Sequence, residues 1–270
     1  MSDALRYEWL RLRTIRSTWW LTGLAIAFGA GIAFLVSWAV SASFDSGVAP
    51  RGRELERVAP TIVGQFAGDG APFFLPYFLA IIGVFTWGHE YRHGMIRATL
   101  TALSSRSHAW VAKYLVVGAW AVLVTVVTLL LSALAGWVWL ADNGIGFANL
   151  DVARVIGKSA GYAVLFAWTA TALASLLRNQ AAALVLVLLW PLVVENVITL
   201  ILSVAPATRD LAAATRFLPF NAGAQILSTR DVTGPLFGEP LTPWAGVLVF
   251  GGFTAALMAA SLVLFRKRDA

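Results

Sequence analysis

The sequence predicts an all-α integral membrane protein with six transmembrane helices, an N-terminal amphipathic helix at the membrane surface and a cytoplasmic coupling helix. Of its 270 residues, 59% are hydrophobic and only 13% are charged, whereas about 25% are charged in soluble domains. The mean hydropathy is +0.76. Long apolar runs alternate with polar segments, and about 20 apolar residues are enough to cross a bilayer.

The first 18 residues are predicted to form an interfacial helix in the cytoplasm. Leu5, Trp9 and Leu12 recur at helical spacing, and the arginines of this segment lie off that stripe. The alternative is a solvated basic leader without fixed structure, because short helices are marginal alone. An apolar run long enough to span the membrane follows directly, so the segment does not have the pattern of a cleaved signal peptide.

The transmembrane domain is predicted to occupy residues 19–265. Its spans are expected at about 19–44, 72–88, 110–140, 152–177, 181–204 and 244–265. Only residues 178–180 separate the fourth span from the fifth, so these two helices must form an antiparallel hairpin. Within the fifth span, Pro191 predicts a kink, because proline removes a backbone hydrogen bond.

Two long polar segments interrupt the spans. Residues 45–71 are predicted to be a loop, with or without a short helix. Residues 207–228 alternate apolar and polar groups at helical spacing with a break at Pro219, which favours helices that dip part-way into the membrane. An ordinary external loop is the alternative for this second segment.

The distribution of charge predicts that both termini are cytoplasmic. The N-terminal segment, the polar stretch 88–115, Arg178 and the basic tail 266–270 hold 12 Lys and Arg residues and four acids. The remaining loops hold eight basic and nine acidic residues. Cytoplasmic segments are the ones enriched in Lys and Arg. The overall charge of +6 is therefore assigned to topology in the cell membrane, and no nucleic-acid partner is predicted.

Two features inside the spans suggest contacts between helices. Glu195 lies in an apolar run, where a carboxylate is costly and usually pairs or faces a cavity. Lys158 lies at a similar depth, so a Lys158–Glu195 ion pair, within or between subunits, is one hypothesis. The other is that Lys158 reaches the interface while Glu195 is protonated or hydrogen-bonded to backbone or Asn196. Gly157 and Gly161 form G-x-x-x-G, a pattern typical of helix packing.

The stretch 88–115, here called the elbow, contains a zinc-protease pattern. His89, Glu90 and His93 match H-E-x-x-H, in which two histidines bind zinc and the glutamate acts as a base. Arg92 would place a cation beside the metal, and Gly94 weakens the helix that both ligands need. An intramembrane metalloprotease is therefore kept only as the alternative function, and no metal site is predicted.

The same stretch resembles the permease subunits of ABC-2 type transporters. The resemblance rests on E-Y-R-H-G at 90–94, I-R-A-T-L at 96–100, S-R at 105–106, K-Y-L at 113–115 and F-L-P-F-N-A at 217–222. Met95 stands where the family usually has Thr, and the Pro that often precedes Ser-Arg is absent. The predicted six-span topology and the basic N-terminal leader are also similar to the family.

The resemblance implies a non-catalytic half-transporter that works as an exporter, and an apolar route lined by Phe and Trp would favour a lipid-like or amphipathic compound as its cargo. Two permease chains, identical or related, would form the translocation route, and two separate ATP-binding subunits would hold ATP and Mg²⁺. The chain itself would carry no cofactor, and it has no complete G-x-x-x-x-G-K-[ST] motif. The elbow would be the coupling helix that contacts the ATPase, through Glu90, Arg92, Gly94, Arg97 and Arg106. A membrane scaffold without transport is a further alternative.

Overall fold

The computed structural model describes residues 1–47, 50, 52–65, 73–95, 106–204, 206–227 and 241–268, and the description below refers to these. Their secondary structure is helical, with no strand among them. The helices are α1 (Ser2–Thr14), α2 (Arg16–Asp45), α3 (Arg53–Val63), α4 (Leu75–Arg92), α5 (Arg106–Leu140), α6 (Leu150–Leu177), α7 (Gln180–Leu189), α8 (Glu195–Val204), α9 (Pro219–Ile226) and α10 (Pro243–Arg268). The all-α prediction is confirmed.

Five of the described helical segments are long and apolar enough to cross a membrane. They are Arg16–Asp45, Arg106–Asn143, Leu150–Leu177, Gln180–Val204 and Pro243–Lys267, which match five predicted spans to within a few residues. The remaining predicted span corresponds to α4, which has 18 residues and ends in the polar side chains of the elbow. The chain is a multi-pass membrane protein, and the count of six spans stays a prediction.

The N-terminal helix packs against the bundle along the predicted stripe. Leu12 is buried, and Leu5 and Trp9 pack against the main core from the side. The ring of Trp9 also meets that of Trp120 edge-on, with 5.6 Å between the ring centres. The helical interpretation of this segment is therefore confirmed. The face that α1 presents to the bundle also carries a charged residue, Glu8.

Helix α4 approaches α6 closely at Gly83. A Cβ atom placed on Gly83 would lie 2.7 Å from the carbonyl oxygen of Ala167 and 2.8 Å from Thr171 Oγ1. Only glycine allows the α4 backbone to approach α6 so closely. By contrast, a Cβ on Gly157 or Gly161 would meet no atom within 4 Å. None of the described residues packs against that pair, and helix packing at Gly157 and Gly161 stays a prediction.

Proline marks both irregularities predicted in the C-terminal half. The span Gln180–Val204 changes to a π-helical turn at Trp190–Val194, which contains Pro191. Farther on, a 3₁₀ helix over Pro206–Phe217 ends before Leu218, and α9 begins at Pro219. Helix α9 is not peripheral, because Phe220 contacts the rings of Phe166 and Phe250 at 5.3 and 5.4 Å between centres.

Candidate functional site

Four charged side chains from three helices form a buried cluster, here called the charge cluster. It consists of Glu8 and Arg11 of α1, Glu90 of α4 and Lys113 of α5. The Lys113 Nζ atom lies 2.6 Å from Glu8 Oε1 and 2.6 Å from Glu90 Oε1. Arg11 forms a close ion pair with Glu90 and a second one of 3.2 Å with Glu8. Two acids and two bases thus balance each other.

Burial makes every member of the cluster depend on the others. Glu8 is 2% exposed, and Glu90 and Lys113 are each 1% exposed. The Lys113 ammonium also lies 4.8 Å from the centre of the Trp87 ring, where a cation is attracted to the ring face. Arg11 donates a further hydrogen bond to the Thr86 carbonyl oxygen. Removing one of the four would leave the other three with one charge too many in a site that water does not reach.

Local helix geometry explains how these side chains meet. Glu8 lies three residues after Leu5 and four before Leu12, so it shares their face of α1. Glu90 is in the last turn of α4, and Lys113 is two turns after the start of α5. The charge cluster therefore joins the N-terminal helix to the two helices that flank residues 93–105 of the elbow.

The elbow residues predicted to contact an ATPase do not share one environment. Glu90 belongs to the charge cluster, so the expectation that it meets a partner protein is corrected: its carboxylate is enclosed by cations of its own chain. Arg92 is exposed and Arg106 is half-buried. Gly94 has a φ of +64°, a conformation that favours glycine. Arg97 lies outside the described residues.

The H-E-x-x-H side chains are not arranged as a zinc site in the described structure. Helix α4 ends at Arg92, and His93 follows as its C-cap with a φ of −104°. The His93 Nδ1 atom lies 2.9 Å from the His89 carbonyl oxygen, and the His89 ring stacks on Phe85 at 4.7 Å between centres. The glutamate that would be the base is held in the charge cluster. Among the described residues, no three potential metal ligands lie together.

A third buried acid, Glu195, caps a helix. It is 0% exposed, and its two oxygens accept hydrogen bonds from the backbone N–H groups of Phe220 at 3.1 Å and Asn221 at 2.7 Å. These groups belong to the first turn of α9, where N–H groups lack helical partners and the helix dipole favours negative charge. The Asn221 side chain donates to Thr199 Oγ1 at 3.2 Å. Glu195 thus attaches α9 to α8.

The contacts of Glu195 do not include Lys158. Of the two sequence hypotheses for Glu195, hydrogen bonding to backbone describes this carboxylate, and the ion pair within one chain is corrected. Lys158 instead lines a cavity together with Gly157 and Gly161. An ion pair between subunits stays a prediction.

Comparison with known proteins identifies the family. A family model described as "ABC-2 family transporter protein" matches residues 4–206, three quarters of the chain. The chain belongs to this family. The match covers all four residues of the charge cluster, from α1 through α5, and also Glu195. A search of curated proteins found no match.

As an ABC-2 permease, the chain has a transport role. Permeases of this family are in general non-catalytic and associate with ABC ATP-binding subunits. The protease alternative is not supported. Glu90, which carries the family resemblance, is buried at the point where the N-terminal helix meets the flanks of the elbow.

Sequence reasoning missed the partnership of Glu8, Arg11 and Lys113 with Glu90. One signal was present in the permease sequence, because Ala4, Glu8 and Leu12 are spaced by four residues on the buried face of α1. An acid in an apolar stripe requires a partner. The residue spacing within α4 and α5 does not indicate which cation is the partner of that acid.

Proposed function

We propose that this permease pairs with a second permease chain, identical or related, to form the translocation route of an exporter in the plasma membrane. Two ATP-binding subunits would hold ATP and Mg²⁺ and contact the cytoplasmic side. The family assignment supports the transport role, and the excess of Lys and Arg in the termini and the elbow supports a cytoplasmic location for them.

The charge cluster is the observation that carries the coupling mechanism. An ATPase that pushes on residues 93–105 acts on the end of α4 and the start of α5 together, because Glu90 and Lys113 connect these helices at 2.6 Å. Glu8 and Arg11 connect α1 to the same two helices, so a displacement of α4 and α5 would also displace α1. Rigid, packed elements transmit such displacements as a unit. In this mechanism, Glu90 is a positioning residue and not an ATPase contact.

The contact with the ATPase is proposed to lie on the outside of the elbow. Arg92 is exposed directly before the connection, and Gly94 follows the end of α4 with a positive φ. Arg97 and Arg106 would add positive charge to the same surface. A basic surface of this kind pairs with acidic side chains, which steer association and fix orientation.

The proposed cargo is a lipid-like or amphipathic compound. The single span formed by α7 and α8 exposes a row of large apolar side chains: Val185, Leu189, Leu192, Val193, Val197, Leu200 and Ile201. Paired across a dimer, such faces would enclose an apolar route. No charged side chain of the described residues lies on that row.

Transport in sealed vesicles tests the function. The permease and its co-purified ATP-binding subunit are reconstituted, and a panel of fluorescent amphipathic dyes and labelled phospholipids is followed on addition of ATP. We expect ATP-dependent, vanadate-sensitive movement of at least one probe. A matched sample carries a partner subunit whose P-loop lysine is replaced. ATP hydrolysis without movement of any probe would contradict export of this class and favour a membrane scaffold.

A further inference from the structure

A layer of buried glycine and polar residues, here called the polar layer, separates two apolar cores of the bundle. Its members are Gly29 of α2, Gln65 just after α3, Thr125 and Thr128 of α5, and Ser159 of α6. On each of the three long helices the layer lies between one residue of the main core and one of a second core: Ala25 and Ala33 on α2, Val124 and Leu129 on α5, and Tyr162 and Val152 on α6.

The end of α3 lies in this layer. A Cβ atom placed on Gly29 would lie 2.4 Å from Gln65 Nε2 and 2.5 Å from Thr128 Cγ2, so the Gln65 amide occupies the space that a larger residue at position 29 would need. A Cβ on Gly64 would lie 3.0 Å from Val155 Cγ1 of α6. Gly29 is near the middle of the 30-residue α2. A polar amide is therefore held deep inside a group of membrane-spanning helices.

Three polar atoms of the layer have no hydrogen-bond partner among the described residues. They are Gln65 Nε2, Thr125 Oγ1 and Ser159 Oγ. The three residues are 6%, 0% and 1% exposed, respectively. An unpartnered polar group at such burial is costly, and buried polar groups are in general hydrogen-bonded to protein or to ordered water.

The two hydroxyl groups differ from other buried hydroxyls of the same helices. Thr128 donates to the Val124 carbonyl oxygen at 2.7 Å, and Thr171 donates to that of Ala167 at 2.8 Å. Each of these bonds joins a hydroxyl to the carbonyl one turn earlier, which is the usual solution for threonine inside a helix. The hydroxyls at positions 125 and 159 do not make this bond, so they are available to another partner.

Both hydroxyls lie close to the end of α3 along their helices. Thr125 is three residues before Thr128 on α5, and Ser159 is four residues after Val155 on α6. Residues at these spacings are neighbours on a helix face. On both helices the step from the α3 contact to the hydroxyl goes towards the main core. The three unpartnered atoms thus lie at one level of the bundle.

We propose that buried water occupies the polar layer and connects Gln65 to Thr125 and Ser159, so that the end of α3 is joined to α5 and α6 through water. Water fits these groups because it accepts from an amide NH₂ and exchanges hydrogen bonds of either direction with a hydroxyl. A buried water typically makes about three hydrogen bonds to groups that otherwise lack partners.

The composition of the layer favours water over a metal cation. Hard cations bind oxygen ligands, above all carboxylates and carbonyls. The layer contains no acid, and the Gln65 amide presents its NH₂ group, which carries positive hydrogens. A cation would therefore meet a donor where it requires an acceptor.

The sign of a change in stability tests the proposal. Thr125→Val replaces a hydroxyl by a methyl group at similar volume, and Ser159→Ala removes a hydroxyl. Each change would leave the water short of one partner, so we expect the Tm of the full chain in lipid nanodiscs to fall by about 2–4 °C in each variant. Removing a hydroxyl that truly lacks a partner would instead raise the Tm, because a buried polar group without a hydrogen bond is unfavourable.

Thr128→Val is the matched control. Thr128 belongs to the same layer and is equally buried, but its hydroxyl donates within its own helix. The Val124 carbonyl oxygen would keep its helical backbone hydrogen bond after the change. The Tm of this variant should therefore stay at the value of the unmodified chain.

Solid-state NMR detects the water directly. The chain contains three glutamines, Gln65, Gln180 and Gln225, so nitrogen-15 labelling of glutamine gives three side-chain amide signals. The variant Gln65→Met identifies the Gln65 signal by its loss. We expect magnetisation to pass from water protons to the Gln65 amide in the unmodified chain, and more slowly in the double variant Thr125→Val with Ser159→Ala.

Three results would overturn the proposal. One is a raised or unchanged Tm in Thr125→Val and Ser159→Ala, and another is no transfer from water to the Gln65 amide. The third is a Tm that rises with sodium or potassium chloride but not with choline chloride, and that loses this dependence in Thr125→Val, which would assign the layer to a cation. No readout uses ATP or transport, so the outcome is independent of the proposed function.

Discussion

Replacing Lys113 by Met is expected to destabilise the folded chain by about 3–5 kcal/mol, the range for removing one partner of a buried ion pair. Methionine fills a similar volume, so the effect comes from charge: Glu8 and Glu90 would share Arg11 as their remaining cation in the cluster. Thermal unfolding of the detergent-purified protein, followed by tryptophan fluorescence, measures the loss. Arg154→Met is the control, because exposed ion pairs contribute about 0–1 kcal/mol.

A second substitution separates charge from packing. In the double variant Lys113→Met with Glu90→Gln, one acid and one base are removed together, and Glu8 and Arg11 remain as a pair. We expect the double variant to be more stable than Lys113→Met alone. Strictly additive losses would show that the four charges do not act as one cluster, because contacting residues give non-additive effects.

Replacing Glu195 by Ala is expected to destabilise the protein by about 2–4 kcal/mol, since two backbone N–H groups of α9 lose their acceptor. Glu195→Gln keeps one carbonyl oxygen and should lose about half as much. Hydrogen exchange at the amides of Phe220 and Asn221 measures the effect locally, and both should exchange faster in the alanine variant.

The neighbouring substitution Asn196→Ala is the control for Glu195. The Asn196 side chain donates only within its own helical segment, to the carbonyl oxygens of Pro191 at 3.0 Å and Leu192 at 3.1 Å. It should leave exchange at Phe220 and Asn221 unchanged. Protection of these two amides in Glu195→Ala at the level of the unmodified protein would show that Glu195 does not cap α9.

The positions of the helices could be predicted because long apolar runs and prolines determine the conformation of the chain segment in which they occur. The bounds expected for five spans agree with the structure, and the irregularities at Pro191 and Pro219 lie where proline removes a backbone donor. The side-chain partners were less predictable. A run of apolar residues predicts that a helix is buried. It does not predict which neighbouring helix packs against it, or how the helix is rotated about its own axis.

Glu90 and Glu195 illustrate this difference. Both were singled out from the sequence, Glu90 with an ATPase as its partner, and Glu195 with either Lys158 or a hydrogen bond to backbone or Asn196. Glu90 meets Lys113 and Arg11 of its own chain instead of an ATPase, and Glu195 meets the start of α9 instead of Lys158. Lys113 and Arg11 lie 23 and 79 residues from Glu90 along the chain, and Phe220 lies 25 residues from Glu195. Helical periodicity alone does not specify partners at such separations.

Glycine spacing alone does not locate the close contacts, for a related reason. The G-x-x-x-G pair at Gly157 and Gly161 faces open space among the described residues, whereas helices approach closely at Gly83 and at Gly246, which belong to no such pattern. Glycine permits a close contact but does not select the helix that makes it. The position of Gly83 opposite the Ala167 carbonyl becomes evident only when α4 and α6 are placed together.

The central claim is that an ATP-binding subunit acts on the outside of the elbow while the charge cluster holds the helices behind it. Purification from membranes of the native host, with mass spectrometry and metal analysis of the same sample, tests it most directly. The unmodified chain, Arg92→Ala with Arg97→Ala, and the control Arg154→Ala are compared. The account predicts recovery of an ATP-binding protein in equal amount with the unmodified chain and with the control, its loss from the double elbow variant, and no zinc. Equal recovery with the elbow variant, or bound zinc in place of an ATP-binding partner, would contradict it.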